Sequence, residues 1–78
     1  MNIARILVPA DWVHEGHLRR ERAEFTLGPG PCGKTVTRLN FTIDDACAWV
    51  LQVHEDGTFK RFVYPLTQLT GRVEVEYA

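Results

Sequence analysis

Residues 28–35 read GPGPCGKT, which fits the spacing G-x-x-x-x-G-K-[ST] of loops that cradle phosphate. Such a loop works through successive backbone N–H groups and the N-terminus of a following helix, all aimed at the anion. Here Pro29 and Pro31 remove two donors, and the residues that follow, TVTRLNFTI, alternate apolar and polar with period two. The stretch therefore predicts a wide hairpin loop running into a strand. Gly33, Lys34 and Thr35 remain a candidate nest for an isolated anion, and ATP with Mg²⁺ is the ligand that would probe it.

Metal and nucleophile chemistry are less well supported. His14 and His17 flank Glu15 in HEGH, one residue short of the zinc-protease spacing that sets two imidazoles on one helix face. With Cys32 and Cys47 they have the ligand types for structural zinc, but not the spacings of a finger, so no metal and no cofactor are expected. Cys32 sits beside Lys34, which favours thiolate, with His54 as the one base outside the loop. No third, orienting residue is legible, and the chain is expected to be non-catalytic.

Binding residues are easier to name. Arg19, Arg20 and Arg22 cluster around Glu21, and Trp12 stands among Asp11, His14 and Glu15. Trp and Arg are the side chains most enriched at interface hot spots. Trp12 either plugs a barrel end or anchors a partner. Leu66 and Leu69 in PLTQL likewise either cover the opposite end or meet a partner. A second set, Arg20, Arg22, Lys34, Arg38, Lys60 and Arg61, would make a positive stripe. With Trp12, Phe59 or Tyr64 as stacking rings, such a stripe suits single-stranded nucleic acid.

The elements that must position these residues are short and extended. IARILV ends at Pro9, and residues 9–17 show no period and predict an irregular connection. LRRERAEFTL points Ala23, Phe25 and Leu27 to one face, and the next strand does the same with Leu39, Phe41 and Ile43. Residues 44–55 are ambiguous. Thr42 with Asp45 can cap a helix, but Trp49, Val50 and Val53 followed by Asp56-Gly57 favour a strand and a two-residue hairpin. That hairpin would set Leu51 opposite Phe62, Trp49 opposite Tyr64 and Val50 opposite Val63. After FKRFVY, residues 65–69 suit one 3-10 turn, and GRVEVEY closes the chain with Val73, Val75 and Tyr77 inward.

The expected class is all-β: a small, strongly curved antiparallel sheet or barrel of five to six strands. A helix at 44–55 packed on an antiparallel sheet is the alternative. A hairpin, a helical turn and a last strand resemble the end of SH3-like and Sm-like small barrels, a likeness of fold that implies no function.

Seventy-eight residues make a single domain, 1–78. Nine basic against ten acidic residues give no basic excess to support binding by phosphate neutralisation alone. Two cysteines fit a reducing cytoplasm, and the apolar run ILV is too brief for a signal core or a membrane span. The sequence thus leads to a cytoplasmic protein-binding module, monomer or homodimer. It would be a stoichiometric regulator or inhibitor of the bacterial or phage-encoded kind, docking through the Trp12 segment and its arginines or through a free strand edge. Single-stranded nucleic acid is the alternative partner, and no membrane is involved.

Overall fold

The computed structural model describes residues 2–30 and 33–78, with every side chain among them except those of Trp12, Val13, His14, Arg19 and Glu21. It is all-β. The strands are β1 (Ile3–His14), β2 (His17–Thr26), β3 (Gly28–Pro29), β4 (Thr35–Ile43), β5 (Cys47–His54), β6 (Phe59–Pro65) and β7 (Glu74–Tyr77). One 3-10 turn, Leu66–Gln68, falls where the sequence places it. The strands form two antiparallel sheets, ordered β2-β1-β7 and β3-β4-β5-β6. Leu27 alone separates β2 from β3, so these two act as one bent strand that passes from the first sheet to the second.

Pro9 does not end the first strand, and residues 9–17 are not an irregular connection. β1 continues to His14 and returns through a two-residue turn, Glu15-Gly16, with φ of 51° and 79°. Two positive φ values in sequence are what a type I′ hairpin requires. Pro9 is tolerated because its carbonyl accepts the Thr70 N–H at 3.1 Å, on the side away from β2. A strand residue aims its N–H and C=O to the same side. The missing N–H therefore falls beyond the last β1–β7 pair, Leu7 with Glu74, and the β1–β2 ladder loses nothing.

Residues 44–55 form no helix. The Asp44 N–H donates to the Cys47 carbonyl at 3.0 Å, while Asp44 Oδ1 accepts the Ala46 and Cys47 amides at 2.8 Å each. The acidic pair that would suit a helix N-terminus closes a tight hairpin instead. The next hairpin is one residue longer than expected. Gly57 N–H donates to the His54 carbonyl at 3.1 Å and His54 N–H to that of Thr58 at 2.9 Å, around a three-residue loop with Gly57 at φ 87°. The register moves by one, pairing Leu51 with Arg61, Trp49 with Val63 and Val50 with Phe62.

The core lies between the sheets. Ile6 and Val8 of β1 meet Phe25, Val36, Leu39 and Val50, all buried. Phe25 and Phe62 join the two layers at 4.9 Å between ring centroids. Leu27, Ile43 and Tyr77, expected inward, are 39%, 56% and 55% exposed; Ile43 and Tyr77 are the last residues of their strands, and Leu27 sits at the bend.

Candidate docking face

The outer faces of the two sheets differ in kind. On the first sheet, carboxylates match every described arginine except Arg22. Arg5 holds Glu24 at 2.6 Å and Glu76 at 3.4 Å, Arg20 holds Asp11 at 3.0 Å, and Arg72 lies 3.7 Å from Glu74. The hydrogen bond to Glu24 raises the Arg5 guanidinium above its ordinary value, and the bond to Asp11 does the same for Arg20. Arg20, Arg22 and Arg72 border a cleft of about 800 Å³ floored by Leu7 and Pro9. This face is a solvated, salt-bridged surface.

The other expected binding residues scatter. Trp12 pairs with Arg19 in the β1–β2 ladder, and both side chains lie outside the described set. Leu66 and Leu69 are half-buried, and Leu69 packs on the core and bridges to Ala10. The six cations of the nucleic-acid set make no single stripe: Arg20 and Arg22 belong to the first sheet, Arg38, Lys60 and Arg61 to the second, and Lys34 to the loop before β4.

That loop is a hairpin running into a strand, as the alternation predicts. Gly28 and Pro29 pair with Val36 and Thr35, Gly30 N–H donates to Lys34 O at 2.9 Å, and Gly33 N–H to Gly30 O at 3.1 Å. The Gly33 amide is thus spent inside the loop. Thr35 lends its carbonyl to the Glu55 N–H at 2.9 Å. Lys34 reaches across to Asp56 Oδ2 at 3.3 Å and Thr58 Oγ1 at 3.1 Å, so its charge is matched by a carboxylate. Pro31 and Cys32 lie outside the described residues, and with Cys32 and the His14 side chain so do the expected thiolate and half the zinc set. Among the described residues no cluster suits a metal ion.

His54, the one candidate base outside the loop, is a turn-locking residue. It is 3% exposed, and its Nδ1 lies 3.1 Å from Thr58 Oγ1. Thr58 gives its single hydroxyl proton to Asp56 Oδ1 at 2.5 Å, so His54 Nδ1 must donate to it. The Thr58 hydroxyl and amide hold the Asp56 carboxyl at about 2 against an ordinary 3.8, with help from Lys34. A carboxyl with a lowered folded-state value stabilises the fold fully above its ordinary value and loses that effect as pH falls through the lowered one. The melting temperature should therefore drop between about pH 4 and pH 2. In Asp56→Asn the drop should be shallower, which thermal melts at a series of pH values will show. Some drop should persist through Asp44, whose carboxyl is also held low, first by the Ala46 and Cys47 amides and then by the Trp49 indole.

The second sheet presents a different surface. Register places Arg38, Val53 and Phe59 in one row, Asn40, Leu51 and Arg61 in the next, and Thr42, Trp49 and Val63 in a third. All nine face outward, because Leu39, Val50 and Phe62 between them belong to the core side. Phe59 and Val63 are 63% and 46% exposed. The Trp49 indole N–H donates to Asp44 Oδ2 at 2.9 Å, and the Arg61 guanidinium lies over the indole, 5.9 Å from its centroid. Asn40, Thr42, Trp49, Leu51 and Arg61 border a cleft of about 640 Å³. Among the described residues no carboxylate pairs with Arg38 or Arg61. Sequence reasoning named Arg38, Arg61 and Phe59 of this face only as part of the nucleic-acid set, and gave Trp49, Leu51, Val53 and Val63 no binding role. The available signal was a strand apolar on both sides followed by Phe59 and Arg61 at period two.

Comparison with known proteins supplies a relationship. A family model described as the enterobacteria phage T3 gene 1.05 protein matches residues 2–77. The chain belongs to that family. An uncharacterized gene 1.05 protein of enterobacteria phage T3 is 40% identical over 57 residues, which is 73% of this chain and 63% of the T3 protein. The chain thus spans under two thirds of its T3 relative. No solved structure matches it significantly. Among the described residues, no helix of this phage-family protein is long and apolar enough to cross a membrane.

Proposed function

We propose that this member of the gene 1.05 family is a non-catalytic, cytoplasmic protein that regulates or inhibits another protein by stoichiometric docking through the outer face of β4, β5 and β6. The observation that supports this reading is the contrast between the two outer faces. One is largely salt-bridged, with Arg22 and Leu18 left open; the other sets half-buried Trp49, Leu51 and Val53 and exposed Phe59 and Val63 around two arginines that no described carboxylate neutralises. Exposed apolar surface of this sort is the signature of an interaction site, with Trp and Arg as its strongest anchors.

Nucleic acid fits the same face less well. Rings and cations share it, as stacking sites require. Yet the Trp49 ring is already covered by Arg61, and aliphatic Leu51 and Val53 occupy the space between the cations.

Site-specific photo-crosslinking in enterobacterial cells tests the docking face. A photoreactive amino acid replacing Phe59 should give a discrete protein adduct, and the same group replacing Arg22 on the first sheet should give none. An adduct from position 22 alone would overturn the reading.

A further inference from the structure

The geometry points to main-chain capture: we infer that an extended, acidic segment of the partner adds as a strand to the free edge of β6. This rests on the reading that the second sheet's outer face docks a protein.

The hydrogen bonds fix which groups are free. His54 N–H to Thr58 O and Leu66 N–H to Ala46 O, both 2.9 Å, bracket the β5–β6 ladder at its two ends. In an antiparallel ladder, bonded pairs alternate with unbonded ones. The bonded pairs are therefore Gln52 with Lys60, Val50 with Phe62 and Ala48 with Tyr64. Phe59, Arg61, Val63 and Pro65 lie between them and aim their main-chain groups away from β5. β6 is the last strand of its sheet, so among the described residues those groups meet no neighbouring strand. Pro65 occupies an edge position, where its missing N–H costs the ladder nothing and where the edge's run of donors ends. The three residues that offer donors and acceptors are the same three whose side chains lie on the outer face.

Charge selects the occupant. Among the described residues, the cations without a carboxylate partner are Arg22, Arg38, Lys60 and Arg61, and all but Arg22 lie on β4 or β6. A second copy presenting its own β6 antiparallel, with Phe59 opposite Val63, would set Arg61 against Arg61. The acidic β7 of a second copy already commits Glu74 to Arg72 and Glu76 to Arg5. The occupant is therefore another protein. Read across an added strand, Phe59, Lys60, Arg61, Phe62 and Val63 call in turn for an apolar residue, two carboxylates and two apolar residues.

A labelled peptide, Thr-Val-Ile-Glu-Glu-Phe-Thr, is the probe, with a Lys-Lys counterpart and an oligothymidylate of about 12 nucleotides as controls. The intact chain should bind the Glu-Glu peptide at least about tenfold more tightly than the Lys-Lys one at low salt, and that preference should shrink as salt rises. Arg61→Glu should reverse the preference. Val63→Pro removes an outward N–H together with the Val63 side chain and should abolish peptide binding, whereas Val63→Ala, which loses the side chain alone, should keep it; Phe59→Pro tests the same edge if the proline variant does not fold. Equal binding of the two peptides, no binding of either, or preferential retention of the oligonucleotide would overturn the proposal. So would a folded Val63→Pro that still binds. If Val63→Pro also keeps the crosslink from position 59, docking stands on side chains alone and only the strand addition falls.

Discussion

Leu39→Ala is expected to remove about 2–5 kcal/mol of folding free energy, the range for emptying a buried leucine site. Leu39 is 1% exposed in mid-β4, where the two sheets meet, and its neighbours Ile6, Val8 and Val50 are fully buried. The emptied site is lined by other buried core side chains, so the transfer loss and the cavity term add. A domain of this size holds only roughly 4–12 kcal/mol in total. The variant should therefore melt on the order of 10–30 °C lower and sit near its unfolding midpoint in modest urea. Leu18→Ala is the control. At 65% exposed, Leu18 should change stability by less than about 0.5 kcal/mol. Thermal and urea melts of the two variants, side by side, check the assignment of the core.

The second large effect is expected on binding. Arg61→Glu removes the one cation that lies over Trp49 and puts a carboxylate at the centre row of the docking face. A hot-spot arginine truncated at an interface typically costs about 2–4 kcal/mol, which is roughly 30- to 1,000-fold in Kd. Charge reversal against an acidic partner adds repulsion to that loss. The fold should barely notice. Arg61 is exposed and has no carboxylate partner among the described residues, so the variant forfeits little beyond its contact with the indole, about 0.5–1 kcal/mol. Loss of affinity with a nearly unchanged melting curve separates a binding residue from a structural one.

Much of the architecture was legible because side-chain period and turn chemistry agreed. The alternation from Thr35 to Ile43 identified β4, and with it the glycine-rich octet as a hairpin loop. The 3-10 turn after Pro65 followed from the same kind of reading. Pro9 misled because a proline ends a strand only where the ladder needs its N–H, and which side a main-chain group faces is not written in residue types. The β5–β6 register slipped by one because Asp56-Gly57 serves a two-residue turn or, with Glu55, a three-residue one; the bond from Gly57 to His54 decides between them.

The candidate site was less legible than the fold. A strand apolar on both sides, such as β5, reads the same whether its second face meets another layer or a partner. That β6 is an edge strand, and that Phe59 and Val63 on this face stay exposed, follow from tertiary arrangement alone. The arginines of β2 drew attention by clustering, but Arg20 is neutralised across the ladder by Asp11, nine residues away in sequence. Arg38 and Arg61, apart in sequence and close in register through Leu51 and Val53, carry the unbalanced charge.

The most direct measurement is the affinity of wild type, Arg61→Glu and Arg22→Glu for the protein recovered by crosslinking from position 59, titrated side by side. Docking through the second sheet predicts a loss of roughly 100-fold for Arg61→Glu and under about threefold for Arg22→Glu. The opposite order, with Arg22→Glu binding worst and Arg61→Glu near wild type, would contradict it and return the interface to the first sheet.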